Sequence, residues 1–391
     1  LATSAVRGSG GAVTWHKTVG TDRAGRPPDL GPHFYQGLTG VAFFLAALFH
    51  RSGVEKFRTL ALGAVAKPRR IVSRLLADDV EASRHKVKLG GMVGVGGILY
   101  ALLRIGRWTT EAELASEALA GTALISPERI AEDRNLDVMF GSAGALLSLL
   151  ALEKEAPPHA SLRSQIAQRA LRCGEHLLAQ RFFQDGGFRG WPANERAPKA
   201  GFAHGAAGIS LALARLGKQA GREEILDAAR QGFRFERVFY LTGKKNWQCA
   251  DDDLEAEMLA WCNGAPGIAL GRLGFLAHRA DDEIAEEVER ALESTGSAPE
   301  ANYDFLCCGN LGRVDILLEG FLSLGRRDWL AQAQSIAERA VLRARAQGGY
   351  AGLSAEGWSV APGLFRGLAG IGYALLRLSA PTSLPCCLTL E

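Results

Sequence analysis

An all-α fold is what this sequence predicts: a ring of about seven helix pairs in an inner and an outer layer, an (α/α) toroid. Three observations predict it. A turn of the form Gly-x-x-Gly recurs seven times, at Gly37 and Gly40, Gly94 and Gly97, Gly141 and Gly144, Gly205 and Gly208, Gly264 and Gly267, Gly309 and Gly312, and Gly367 and Gly370. The second glycines stand 45 to 64 residues apart, room for two helices and their loops. An apolar run follows each turn, and amphipathic segments lie between the runs. An open solenoid is the alternative arrangement of the same pairs.

The runs justify the inner layer. Residues 41–48 (Val-Ala-Phe-Phe-Leu-Ala-Ala-Leu), 145–152 (Ala-Leu-Leu-Ser-Leu-Leu-Ala-Leu) and 371–376 (Ile-Gly-Tyr-Ala-Leu-Leu) are apolar nearly all round, so each helix should be buried on most sides. The second turn, Gly94 to Gly97, is the least regular. The outer layer follows from helical spacing at Leu162, Ile166, Ala170, Cys173 and Leu177, and at Ile284, Val288 and Leu292, with charged residues on the other faces. No segment shows the alternation of a half-buried strand. Glycine at the start of each inner helix lets backbones approach closely. Seven helix N-termini at one end of a ring would form a floor that favours anions and thiolates. Gly- and Pro-rich loops such as residues 181–198 would line that end.

Composition narrows the function. Hydrophobic residues make up 47% and charged residues 22% of the 391, the profile of a globular chain with a large core. A net charge of +3 is too weak to point to nucleic acid or an anionic membrane. No uninterrupted apolar run reaches the ~18 residues of a membrane span. The first residues lack the basic start and apolar core of a signal peptide. The chain begins at Leu1, so a piece of a longer protein is expected. Seven cysteines, an odd number, point to thiols or a metal site in a reducing compartment rather than to disulfides, and a cytoplasmic location is expected.

Three of the turns carry more than glycine. His204 lies four residues before Gly208, Cys262 five before Gly267, and Cys308, with Cys307 beside it, four before Gly312. A repeat that places Cys and His at one structural corner builds a single site from several segments. Three thiolates and an open fourth position make a catalytic zinc site, and Gly309 permits the sharp turn two adjacent cysteines need. Cysteine is also a common core residue, so spacing alone leaves both readings open. Cys173 lies on an apolar stripe and belongs to the core; Cys249, Cys386 and Cys387 lie outside the corner. His204 could be a fourth ligand or an acid/base. Asp137, before its own glycine pair, could orient that imidazole or simply cap a helix.

Together these motifs resemble the lanthionine synthetase C-like cyclases, and more closely the C-terminal cyclase domain of class II lanthipeptide synthetases. The resemblance spans the chain: Tyr35-Gln36-Gly37 and Gly40, Asp137 to Gly141, His204-Gly205, Trp261-Cys262-Asn263-Gly264, Cys307-Cys308-Gly309 and Leu384-Pro385. It implies one LanC-like cyclase domain over residues 1–391, taken from a longer enzyme whose N-terminal dehydratase domain is not here. It implies one catalytic zinc held by Cys262, Cys307 and Cys308, with His204 and Asp137 catalytic. Most of the wider family has Cys-His-Gly where this chain has Cys307-Cys308-Gly309. The three-cysteine subset includes enzymes of broad substrate choice, which implies a tolerant enzyme. The implied substrate is a dehydrated precursor peptide, whose Cys thiols add to dehydroalanine or dehydrobutyrine to close thioether rings.

Two other functions compete. A LanC-like protein could bind glutathione or another thiol without cyclising anything. A terpene-cyclase-like toroid could use magnesium at Asp251 and Asp252, within the run Asp251-Asp252-Asp253-Leu254-Glu255. That reading wants an aromatic cavity, and aromatic residues are only 8% of the chain.

Overall fold

The computed structural model describes residues 1–16, 29–77, 87–185, 187–188, 190–192, 197–248, 258–352 and 361–391. Seven inner helices follow the seven turns: Leu38–Ser52 (α1), Val95–Trp108 (α3), Ser142–Glu155 (α6), Ala206–Ala220 (α8), Ala265–Leu276 (α10), Asn310–Leu324 (α12) and Leu368–Ser379 (α14). Outer helices pack on the first six of these: Glu55–Leu76 (α2), Ala112–Gly121 (α4), Ser161–Ala179 (α7), Glu223–Phe235 (α9), Asp282–Ser297 (α11) and Arg327–Gln347 (α13). A short helix, Pro127–Ala131 (α5), starts on a Ser126 cap with proline in its first turn. Among the described residues the only strands form three antiparallel ribbons of two residues a side, the second of which pairs Phe183–Gln184 with Gly187–Phe188.

Hydrophobicity sorts the two layers. From Ser142 to Leu152 every residue of α6 is buried. On α7 only one stripe is buried, with Ile166, Ala170, Cys173 and Leu177 at its centre, and α11 buries Ile284, Val288 and Leu292. Each fully buried Leu or Ile contributes about 1.5–3 kcal/mol relative to exposure, so the ring is held mainly by its inner layer. No helix among the described residues is long and apolar enough to cross a membrane.

The seven turns close on one another through their backbones. Tyr35 N–H donates to Met92 O (3.0 Å), Met92 to Met139 O (3.3 Å), Met139 to Ala203 O (3.3 Å) and Ala203 to Cys262 O (3.2 Å). Trp261 N–H then donates to Cys307 O (2.9 Å), Cys307 to Phe365 O (2.8 Å), and Phe365 back to Tyr35 O (2.8 Å). The last bond joins the seventh turn to the first, so the helices form a closed ring and not an open solenoid. The second turn, least regular in sequence, is a full member of this circle.

Both glycines of the repeat have a steric reason. The first is the N-cap of every inner helix. The second packs against the carbonyl oxygen six residues earlier, and a Cβ there would overlap it in all seven turns.

The seventh pair departs from expectation. Among the described residues no outer helix follows α14, and Pro381 and Pro385 interrupt any helix there. The chain instead turns inward, burying Cys386, Cys387, Leu388 and Leu390. Tyr100 of α3 donates to Glu391 O (2.7 Å), Trp261 Nε1 to Leu388 O (3.2 Å) and Tyr373 of α14 to Pro385 O (2.8 Å). These donors come from well-separated parts of the ring, so residues 384–391 fill its middle.

Candidate active site

The turns share a register that sets which side chains face the cleft at their end of the ring. Five residues before the second glycine stand Tyr35, Met92, Met139, Ala203, Cys262, Cys307 and Phe365, the residues linked by the backbone circle. Four before it stand Gln36, Val93, Phe140, His204, Asn263, Cys308 and Arg366. A cleft of about 660 Å³ opens over them, a size that admits part of a peptide. His204, Asp137, Cys262, Cys307 and Cys308 all line it, so the structure brings every sequence-chosen site residue to one place.

A glycine N-cap offers no side chain to the first N–H groups of its helix, and distant side chains satisfy them instead. Asp133 Oδ2 accepts from Ser142 N–H and Ser142 Oγ–H, both at 2.7 Å, at the head of α6. Glu236 Oε1 accepts from Gly201 and Ala207 N–H, both at 2.9 Å, which fixes the turn carrying His204. Asn246 Oδ1 accepts from Ala265 N–H (2.8 Å) at the head of α10. Glu236 is fully buried, and burial pushes its carboxyl up, opposed by Arg272 and the two N–H donors. Arg272 Nη1 donates to Glu236 Oε2 (2.8 Å) and Nε to Glu287 Oε2 (2.6 Å). The turn under His204 is thereby tied through a buried ion pair to outer helix α11.

His204 and Asp137 form a pair. His204 Nδ1 lies 2.7 Å from Asp137 Oδ2, while Asp137 Oδ1 accepts from Phe140 N–H (2.7 Å). The carboxylate side chain is 6% exposed and the imidazole 43%, so the acid is fixed in the wall and the ring reaches the cleft. Phe140 stacks on the imidazole, with ring centroids 5.6 Å apart. The arrangement holds a proton on Nδ1 and leaves Nε2 to the cleft.

The three thiols influence one another through Cys307, and Cys262 Sγ lies 3.8 Å from both Met258 Sδ and Asn263 Nδ2. Tyr35 Oη donates to Cys307 Sγ (2.9 Å) from the neighbouring side. The hydrogen bond to Cys262, then burial, pushes the Cys307 thiol up to about 12, although Cys308 and Tyr35 act the other way. Cys308 is pushed up by its hydrogen bond to Cys307 and by burial. Among the described residues no three Cys, His, Asp or Glu side chains are already set around an ion position. A cation held among the three thiols would favour their thiolate forms.

Other sequence candidates fall elsewhere. Cys173 is buried in α7, and Cys386 and Cys387 in the central segment. Cys249 and the Asp251 to Glu255 run lie outside the described residues. From the loop at residues 181–198, Trp191 and Ala197 reach the cleft. Tyr35 and Arg366 also line it, and neither was assigned a role from sequence. Arg366 had a signal, since it stands four residues before Gly370, as His204 does before Gly208.

The family profile described as lanthionine synthetase C-like protein matches residues 28–389. Among solved structures, nisin cyclase superposes with a TM-score of 0.67 at 19% identity, covering 92% of each chain, a likeness of fold. An unsaturated glucuronyl hydrolase specific for heparin gives a TM-score of 0.46 at 14% identity, over 77% of this chain and 81% of its own.

Proposed function

The chain belongs to the lanthionine synthetase C-like family, and from that premise we propose that it is a zinc-dependent lanthionine-forming cyclase. Its reaction adds a peptide Cys thiol to the β-carbon of dehydroalanine or dehydrobutyrine in the same peptide. One observation carries the reading: three thiols and a carboxylate-oriented imidazole share one cleft over the inner-helix N-termini. We read the chain as the cyclase part of a class II synthetase, acting in the cytoplasm on a precursor peptide dehydrated by an N-terminal dehydratase domain.

Cys262, Cys307 and Cys308 would hold the zinc. Three soft donors joined through Cys307 suit an ion that takes thiolates and keeps one position open. When bound, zinc supplies Lewis acidity that favours the thiolate of a substrate cysteine at neutral pH. The protein's own side chains do the rest. Asp137 holds His204 so that Nε2 exchanges a proton with the substrate. As the sulfur–carbon bond forms, the alkene electron pair moves toward the neighbouring carbonyl. The α-carbon then takes a proton from His204. The cleft brings thiol and alkene together, offsetting the entropy lost in closing a peptide ring.

Metal content and thiol counting test this together. Wild-type protein should carry about one zinc per chain, and Cys308→Ala should lose it. A peptide with one dehydroalanine and one cysteine should keep its mass on incubation yet lose its alkylatable thiol. Protein that carries zinc but leaves the thiol alkylatable is a thiol-binding relative and not a cyclase.

A further inference from the structure

We propose that Arg366 is the oxyanion-binding residue of this site, its guanidinium meeting the negative charge that forms on the carbonyl oxygen of the dehydro residue. The assignment rests on the cyclase reading and adds a residue to it.

Position is the first argument. Arg366 stands four residues before Gly370, the register of His204 and Cys308, and it lines the same cleft. Around the ring, His204 comes from the fourth turn, the thiols from the fifth and sixth, and Arg366 from the seventh. The thiols are thus flanked by a proton carrier on one side and a fixed cation on the other. The backbone before Arg366 is rigid, because Phe365 is bonded to both Tyr35 and Cys307 (2.8 Å each) and stacks on Tyr35 at 4.9 Å.

Availability is the second. The deeply buried Arg272 and Arg377 are each paired with two carboxylates. Arg366 has no carboxylate partner among the described residues, and its buried Nε has no hydrogen-bond partner. Its Cζ lies 5.8 Å from the Phe305 ring centroid, and its charge acts on Cys308 and Tyr35 across the cleft. A half-buried guanidinium with uncommitted N–H groups in a reaction cleft is poised for an incoming oxygen.

The reaction makes such an oxygen. The substrate thiol gives its proton to His204 Nε2, the sulfur–β-carbon bond forms, the alkene pair shifts to the α-carbon–carbonyl bond, and the carbonyl pair moves onto oxygen. The charge collapses when the α-carbon takes the proton from His204 and the carbonyl re-forms. No oxidant or second reactant is needed. Other polar groups of the cleft are committed: Asp137 is acidic, and the Tyr35 hydroxyl is given to Cys307. Lys199 is the second cation lining the cleft, from the loop leading to the fourth turn.

The test compares Arg366→Gln, Arg366→Lys and Lys199→Met on a synthetic peptide with one dehydroalanine and one cysteine. Arg366→Gln should lower kcat by about 10²–10³, the loss typical of a removed oxyanion donor, with KM within about threefold. Arg366→Lys should recover part of that loss, and Lys199→Met should cost less than tenfold. Zinc per chain and Tm should match wild type in all three. Wild-type kcat in Arg366→Gln overturns the assignment, as does a rate lost in proportion to zinc, which would make Arg366 a support for the thiols. A larger kcat loss in Lys199→Met gives the role to Lys199. If wild-type protein leaves this peptide open, the cyclase reading fails and the assignment falls with it.

Discussion

The second and sixth turns occupy equivalent corners of the ring and differ in two side chains. Met92 donates its N–H to the following turn and accepts from the preceding one, and Cys307 does the same. Gly94 and Gly309 both cap inner helices, and a Cβ on either would meet the backbone nitrogen four residues earlier. Yet Met92 and Val93 stand outside the cleft walls, while Cys307 and Cys308 line them. The comparison separates two duties within one repeat. Glycines and backbone carbonyls set the geometry, and the two residues before the first glycine are free to carry chemistry or none.

The largest effect should come from the glycines. In Gly312→Ala the new methyl group would fall on the carbonyl oxygen of Leu306, a backbone atom packed inside the ring. Overlap with backbone cannot be relieved by turning a rotamer, so a loss of at least about 4 kcal/mol is expected. Soluble yield and Tm measure it. A Gly312→Ala protein with wild-type Tm would show that the second glycine is dispensable.

Next comes the buried support. Glu236→Gln leaves Arg272 paired only with Glu287 and turns an amide toward a guanidinium, for a loss of about 3 kcal/mol. The same change loosens the turn at Gly201 and Ala207, so cyclisation should slow even at temperatures where the variant is folded. Thermal unfolding and a rate on the dehydroalanine peptide report both. An unchanged rate in a destabilised variant would mean that this turn needs no outside cap.

This support marks where the sequence ceased to be readable. The ring order was legible because Gly-x-x-Gly recurs and the runs after it are apolar. The candidate site was legible because Cys262, Cys308 and His204 fall at one corner of the repeat. Arg366 shares that corner, but arginine is common on surfaces and only its register distinguishes it. Asp133, Glu236 and Asn246 carried no local signal, since each caps a helix from 9 to 29 residues away in the chain. That no outer helix follows α14 among the described residues was readable in Pro381 and Pro385, which the seven-pair pattern obscured.

The smallest effect is the sharpest test of the two duties. Val93→Ala and Cys308→Ala truncate residues in the same register, each half-buried in its turn. Val93→Ala removes two methyl groups and should cost about 1 kcal/mol. Metal-free Cys308→Ala loses a single sulfur and should cost no more. In the folding of the bare chain the two variants are therefore near equals. In turnover they should part: Val93→Ala keeps a rate within about twofold, because its side chain stands outside the cleft walls, whereas Cys308→Ala loses a proposed zinc donor and with it nearly all cyclisation. Tm of metal-stripped protein and the alkylation count of the peptide provide the two readings. A Val93→Ala enzyme slowed as severely as Cys308→Ala would mean that the turns act as one coupled ring, in which no corner is merely structural.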